Sequence, residues 1–519
     1  MLSMDVNMYL LTTLIRNASE KKNTFLNLVW KIDMINIINW RNIYLLTIPL
    51  RIVFTLSNSY IHPDEHFQSL EVLTNKILGF ETNIPWEFEN PAPARSYSPL
   101  YIIYGPILYF IKSLNLELSP IQIWYILRLQ NCLLSWLVTD FCLYWMLPVK
   151  HERIKAVFFT STSFVTLVFQ NHLFSNSIET LLLVSTIYIV DDLRYIQEHP
   201  DLHGVKKTTS LFVLGMLVSI GVFNRITFPA FLILPGWFVL TYIVSHLPSV
   251  ILLVLGFIIP SIAFVLFDTW MYQSKDFVVT PLNNLLYNVN VDNLELHGLH
   301  PLYTHVLVNL PQILGPGILS FISKRYWKTT PFLSVTSGLL FLSLIPHQEL
   351  RFLIPILPLC CCCFDLTQKW VSPYLIYVWY LFNLTMSLLM GVFHQGGVVP
   401  ILSYIRENEL KGTQIWWHTY SPPPWLLGSH SVETTSLDGV KRYDKDYIII
   451  DAMGSDLEQV EASLYKREEP VYLITPIASF HNFNDSRFKP VYNYTYHIDL
   501  DHLDWRNFQL GLGMYELIL

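Results

Sequence analysis

Apolar runs recur along this chain from about residue 44 to residue 393 with no long hydrophilic break between them. Runs of about 17 to 25 residues are what a helix needs to cross the hydrocarbon of a bilayer. A segment inside lipid must also satisfy its own backbone polar groups, which favours helices. With 52% of residues hydrophobic and only 14% charged, an all-α polytopic membrane protein is expected. About eleven spans are predicted, at 43–58, 120–147, 154–170, 178–193, 209–224, 228–245, 249–271, 304–322, 330–346, 351–368 and 373–393.

Loops rich in Lys and Arg stay on the cytosolic side of a membrane. With a cytosolic N-terminus, alternation of these spans puts Lys150/Arg153/Lys155, Lys206/Lys207, Lys324/Arg325/Lys328 and Lys369 all on that side. The count requires the apolar stretch 100–111, flanked and broken by Pro99 and Pro106, to lie along the surface or dip into it without crossing. The opposite face then receives a long first loop (59–119), a turn at 171–177, a loop at 272–303, a turn at 347–351 and the tail after His394. This divides the chain into a cytosolic segment (1–42), a membrane domain (43–400) and a C-terminal domain on the far side (401–519). In that tail, strand-like runs at 447–450 and 471–474 alternate with polar turns, which predicts a small mixed α/β unit. Sequons at Asn484 and Asn493 fit a far side that is the lumen of the secretory pathway.

The first forty residues hold a short apolar patch, 8–15, followed by Lys21 and Lys22, with no small-residue cleavage site. The first span is therefore expected to act as an uncleaved anchor, and Met34 is an alternative start. Cys132, Cys142 and the run Cys360 to Cys363 lie inside apolar stretches without metal-ligand spacing, as buried small hydrophobes do. A net charge of −7 without a long basic run argues against a nucleic-acid partner.

Directly after the first span comes His62-Pro63-Asp64-Glu65-His66-Phe67-Gln68. Pro63 suits the first position of a helix, and Asp64 and Glu65 then fall in its first turn, where carboxylates interact well with free N–H groups. That is either plain helix-end complementarity or an acidic pair poised to act as a base. Phe67, Leu70, Val72, Leu73, Ile77 and Leu78 give the helix a partly amphipathic face, which predicts a position on the membrane surface. His62 and His66 are four apart, but Pro63 places His62 outside the helix, so a metal site is not favoured.

Farther along the loop, Trp86 and Tyr97 are either interfacial anchors or substrate contacts. Arg95 either snorkels or grips a phosphate with two parallel hydrogen bonds. Charged groups near membrane depth are costly and default to functional candidates. Arg225 lies between two spans, and His347-Gln348-Glu349-Leu350-Arg351 opens another. Glu349 and Arg351 either neutralise each other or gather a lipid phosphate. Tyr287, Asn288, His297 and His300, in a polar loop, carry groups of the kind that bind sugar hydroxyls.

Together, His62-Pro63-Asp64-Glu65 with Phe67, Gln68 and Glu71, and His347-Gln348-Glu349-Leu350-Arg351-Phe352-Leu353, resemble the signatures of the dolichyl-phosphate-mannose-dependent mannosyltransferases of the endoplasmic reticulum, which have the GT-C fold. Ala94-Arg95-Ser96-Tyr97, Phe174 to Glu179, Tyr287-Asn288 and His394 to Gly397 extend the resemblance over roughly residues 43 to 400. Residues 84–88, 296–301 and 499–505 look most like the fungal branch that adds a fourth mannose to the glycosylphosphatidylinositol (GPI) precursor; Ser98 and Leu302 stand where that pattern has Gly and Arg. The resemblance implies a multi-pass enzyme that transfers mannose with inversion from dolichyl phosphate mannose to a GPI glycolipid, giving an α-1,2 linkage without a metal or other cofactor. It implies Asp64 as general base, Glu65 orienting it or the acceptor, and Arg95, Arg225 or Arg351 on the departing phosphate. His62, Trp86, Tyr97, Tyr287, Asn288, His297, His300, His347, Gln348 and Glu349 would contact substrate. The alternatives within this class are the third-mannose transferase of the same pathway and the transferases that build the N-glycan lipid precursor. From another class, a transporter or lipid flippase would more naturally show internal repeats, and none is found.

Overall fold

The computed structural model describes residues 40–518 except 203–206, 369–373, 438–443, 465–469, 482, 484–486 and 504. The expected N-terminal segment up to residue 39 with Met34, the basic residues Lys206 and Lys369, and the sequon at Asn484 lie outside the described residues.

Every predicted span contains helix, but the helices differ in length. Among the described residues, Pro120–Met146, Ser249–Met271 and Leu375–Phe393 are long and apolar enough to cross a bilayer. Phe164–Asn171 and Ser175–Glu198, bent by 118° at a short break, add a fourth if taken as one span. The others are shorter: Trp40–Thr55, Lys150–Thr162, Thr208–Asn224, Gly236–Ser245, His305–Phe321, Thr330–Leu342 and Leu350–Cys362. The sequence explains the breaks. Gly315-Pro316-Gly317 interrupts one of these helices, and Pro355 and Pro358 hold the start of another in a tighter 3₁₀ winding.

Ile251, Leu255, Ile258, Ile259, Ile262 and Leu266 stand exposed along Ser249–Met271, the surface a lipid-facing helix presents. That helix packs tightly on Thr208–Asn224. A Cβ on Gly215 would come within 2.3 Å of the Leu253 carbonyl oxygen, and one on Gly256 within 2.1 Å of that of Phe212. Small residues on facing helices permit this approach where lipid supplies no hydrophobic drive. The stretch 100–111 forms two short helices, Tyr97–Ile103 and Gly105–Ser113.

The helix that starts at Asp64 runs to Leu78, opening with a widened turn at His66–Leu70. It does not lie on a lipid surface as its amphipathic pattern predicted. Leu70, Val72, Leu73 and Ile77 are buried, and so are Glu71 and Thr74 on the polar side. Gly105–Ser113 packs on this helix, and the C-terminal domain holds its polar side and its end. The Trp425 backbone N–H donates to Glu71 (3.2 Å), the His430 ring bonds the Gly79 carbonyl (2.7 Å), and Lys445 pairs with Glu81 (2.6 Å).

That domain is built on one six-stranded sheet: β1 (Gly412–Trp417), β2 (Val432–Ser436), β3 (Tyr447–Met453), β4 (Val471–Pro476), β5 (Phe488–Tyr494) and β6 (Leu512–Leu517), in the order β2-β3-β1-β4-β6-β5. β1 to β4 are parallel, while β6 pairs antiparallel with both β4 and β5. β1 and β4 are buried along their whole length; β4 opens on the apolar run Val471-Tyr-Leu-Ile, while β1 also buries Thr413 and Gln414. All six cysteines are buried and free.

Candidate active site

The site begins where the first loop turns into its helix. Pro63 sits just ahead of Asp64, and the His66 and Phe67 N–H groups bond back to the Pro63 carbonyl. Asp64 and Glu65 follow each other on this first turn and so point apart. Asp64 faces a cavity of about 990 Å³, and Glu65 faces the interior.

In the cavity, Arg351 donates to both Asp64 and Glu349, and its Nη2 lies 2.9 Å from Glu349 Oε1. His347 Nε2 meets the same Glu349 oxygen at 2.7 Å, while its Nδ1 meets the Gly298 carbonyl at 3.0 Å. His62 closes the ring, with Nδ1 at 3.4 Å from Asp64 and Nε2 at 3.8 Å from Glu349. Burial works against charge on Asp64, but Arg351 and then His62 hold its carboxyl well below the usual range. Glu349 is likewise held far down against burial by Arg351 and His347. His347 rises above the usual imidazole value: burial opposes its charge, but the hydrogen bonds to Glu349 and Gly298 outweigh it.

The other two arginines line the same cavity. Arg225 reaches Ser175 Oγ at 3.1 Å and Glu179 at 3.3 Å, with its guanidinium 4.8 Å over the Phe352 ring. Arg95 pairs with Glu87 at 3.2 Å, and Gln68 donates to the same carboxylate. All three cations are therefore held in place by carboxylates before any anion arrives. At the rim Trp86 stacks on Tyr287, ring centroids 4.3 Å apart, and Tyr287 Oη lies 3.0 Å from His297 Nε2. Asn288 also lines the cavity, its amide held by Asn284.

Four expected site residues lie elsewhere. Glu65 is fully buried and accepts from His172 Nδ1 (2.5 Å) and Trp124 Nε1 (3.2 Å), with Arg128 4.0 Å away. Arg128 also meets His172 Nε2 at 2.7 Å and donates to the Ser57 and Phe54 carbonyls. His172 therefore fits as a neutral ring protonated on Nδ1. Burial, then Arg128, pushes it down to about 4, while Glu65 is lowered to about 2, because His172 and Arg128 overcome its burial. Glu65 thus has no lone pair facing the cavity with which to orient an acceptor.

Tyr97 is buried among Phe88, Tyr101 and Tyr272, because its backbone N–H is anchored on Asp268 (3.0 Å) at a helix start. Gln348 is spent on backbone. Its Oε1 accepts from the His305 N–H (2.8 Å), and its amide bonds the carbonyls of Leu302, Ser343 and Ile345. His300 accepts from the Gln348 N–H at 3.3 Å and does not line the cavity. Ser421, Asp451 and Met453 of the C-terminal domain do line it, and sequence reasoning missed them. They stand more than 350 residues from Asp64, with no motif around them to draw notice. Among the described residues no group of three or more His, Cys, Asp or Glu side chains is arranged to hold a metal ion.

The sequence profile of the Alg9-like mannosyltransferase family matches residues 42–427. The chain is 60% identical to GPI mannosyltransferase 4 of Candida albicans over 496 residues, which span 92% of this chain and 99% of that protein. It is 51% identical to the Debaryomyces hansenii protein of the same name (92% and 99%), and 39% identical to that of Saccharomyces cerevisiae (90% and 97%). Among solved structures, ArnT from Cupriavidus metallidurans bound to undecaprenyl phosphate superposes with a TM-score of 0.50. At 10% identity, over 92% of this chain and 98% of that one, the likeness is one of fold.

Proposed function

Because this chain belongs to the Alg9-like mannosyltransferase family, we propose that it transfers mannose to the GPI-anchor precursor, adding the fourth residue in α-1,2 linkage from dolichyl phosphate mannose. The transfer takes place at the luminal face of the endoplasmic reticulum membrane, in a GT-C enzyme with about eleven passes. One observation carries this reading: Asp64 and the three arginines Arg95, Arg225 and Arg351 line one cavity.

The acceptor hydroxyl oxygen attacks the anomeric carbon, Asp64 takes its proton, and the bond from that carbon to the phosphate oxygen breaks. The electron pair leaves on dolichyl phosphate, and the β-linked donor yields an α-mannoside. Preorganised positive charge stabilises the leaving phosphate, which is already carried on a lipid, so the step calls for no cofactor. Arg351 has two partners in this scheme. At rest it holds Asp64 ionised but weakly basic. A donor phosphate competes for the same guanidinium, and as Arg351 turns toward it, Asp64 becomes the stronger base that catalysis needs.

Asp64→Asn is expected to lower mannose transfer in microsomes about 10²- to 10⁴-fold, the usual worth of a general base, with normal protein level and donor binding. Near-normal turnover would remove Asp64 from the chemistry. Labelled precursors bearing three and two mannoses test the acceptor: extension of the trimannosyl species is expected, and extension of the dimannosyl one instead would move the enzyme one step earlier.

A further inference from the structure

The cavity has a second wall that the transfer scheme leaves unused. It is made by the carboxyl end of the C-terminal sheet, where Asp451 and Met453 close β3 and Ser421 follows β1. In open sheets of parallel strands, ligands bind beyond the carboxyl ends. The backbone here is also irregular. Trp416 pairs with Asp451 but Trp417 pairs with Met453, so one residue is bulged, and bulges beside functional sites re-aim side chains. Met453 and His418 both hold left-handed backbone, φ 46° and 55°, and the His418 N–H donates to the Met453 carbonyl at 2.8 Å. Left-handed non-glycine residues persist only where their surroundings enforce them, and they gather at ligand clamps.

Asp451 differs from the other carboxylates that line the cavity. Asp64, Glu87 and Glu349 each hold an arginine. Among the described residues, Asp451 has no such cation. It accepts from Ser421 Oγ at 2.5 Å and the Met453 N–H at 3.2 Å, one bond to each oxygen, which leaves each oxygen a further acceptor site. The pair is fixed to the catalytic loop, since Tyr60 Oη donates to the Ser421 carbonyl at 2.9 Å, four residues before Asp64.

We propose that Asp451 and Ser421 form a hydroxyl-binding clamp that grips the sugar of the incoming acceptor glycan and presents its reactive hydroxyl to Asp64. An acid without a cation partner suits a neutral polyol donor of hydrogen bonds and repels a phosphate. The clamp therefore sorts the two substrates: the phosphate settles among the arginines, and the glycan against the sheet. This rests on the reading of the site as a mannosyltransferase acting on a glycan.

The test uses the full-length enzyme in proteoliposomes, with dolichyl phosphate mannose and a trimannosyl GPI acceptor, varied separately. Asp451→Asn is expected to raise the acceptor KM about 10- to 100-fold, as the loss of hydrogen bonds to a charged group does, and Ser421→Ala a few-fold. The donor KM and the thermal midpoint stay in place. Acceptors lacking one hydroxyl each supply a second measurement. One analogue should be poor for the wild type yet cost Asp451→Asn nothing further. An unchanged acceptor KM, or an equal rise in donor KM, overturns the clamp. Should Asp451→Asn fail to fold, Ser421→Ala with the analogues decides alone: a normal acceptor KM there, with the same analogue penalties as the wild type, overturns it too. If the wild type itself transfers no mannose to the acceptor, the functional reading fails. If it does and both variants match it, only the clamp fails.

Discussion

Asp64 and Glu65 are adjacent, yet each belongs to a charged cluster of a different kind. On the cavity side, the side chains of Arg351, Asp64, Glu349 and His62 are 11%, 19%, 23% and 34% exposed, and every one can meet a substrate. On the sealed side, Glu65, Arg128 and His172 are 0% exposed and bond only to one another and to neighbouring protein groups. The residue types are nearly the same in both. What separates them is access, which decides whether a charge can be lent to a reaction or is committed to holding the chain. The sealed cluster ties the first loop to Pro120–Met146 and to the bend before Ser175–Glu198, and that tie fixes where Asp64 points.

Breaking the sealed cluster should cost the most. Glu65→Ala leaves Arg128 buried without its counter-charge, and removing one partner of such a pair destabilises by about 3–5 kcal/mol. Thermal unfolding of the detergent-purified protein should show a clear drop in midpoint, whereas Asp64→Asn, which leaves Arg351 its second partner Glu349, should lose much less. Wild-type stability in Glu65→Ala combined with lost transfer would break the comparison, because Glu65 would then belong to the chemistry. On the open side, Arg351→Met should lower transfer about 10²- to 10³-fold, the loss seen when one preorganised charge-stabilising donor is removed. It should also move the acid limb of kcat/KM to higher pH. The base is active above its own pKa, and without the guanidinium the Asp64 carboxyl is no longer held below the usual range.

The response to pH should also differ between the two clusters. His172 is lowered to about 4, so the unfolded chain takes up a proton that the folded one refuses. Its contribution to stability is whole above the ordinary imidazole value of about 6.5 and is lost as pH falls from there toward 4. His347 is raised, so its contribution is whole below that value and is lost as pH rises through its folded pKa. Unfolding midpoints measured across pH should therefore flatten on the acid side in His172→Gln, and on the neutral-to-alkaline side in His347→Gln. The same change of slope in both variants would show that the clusters titrate as one.

Much of the helical part was legible because lipid imposes a hydropathy pattern that any such helix must carry, and the strand-like runs at Tyr447 and Val471 fall in β3 and β4, though their parallel pairing was not foreseen. The direction of a side chain on a known helix was not legible. Asp64 and Glu65 are alike in sequence, and their fates depend on His172 and Arg351, which arrive from 107 and 287 residues away. Gln348 looked like a substrate contact because it sits between His347 and Glu349, yet its amide closes three backbone carbonyls. The apolar face at Leu70 to Ile77 suggested a lipid surface because hydropathy cannot tell lipid from a protein partner, and it is buried within the protein, with Gly105–Ser113 packed on the helix and Trp425 bonded to its polar side.

The rim offers the smallest and most graded test. Trp86 is 43% exposed and rests on Tyr287, so it holds up nothing in the core. A sugar ring laid on such a face buries its C–H groups against a large aromatic surface, at about 0.8 kcal/mol per buried CH group of methylene size, and Trp86→Ala should lower kcat/KM about 3- to 10-fold with an unchanged unfolding midpoint. Trp86→Phe keeps a flat face and should recover most of the loss. A fall as large as that of Arg351→Met would place Trp86 at the reacting carbon, and access alone would then no longer separate structural from chemical residues in this cavity. A fall confined to the acceptor KM would instead join the rim to Asp451 and Ser421, and would locate the far end of the glycan.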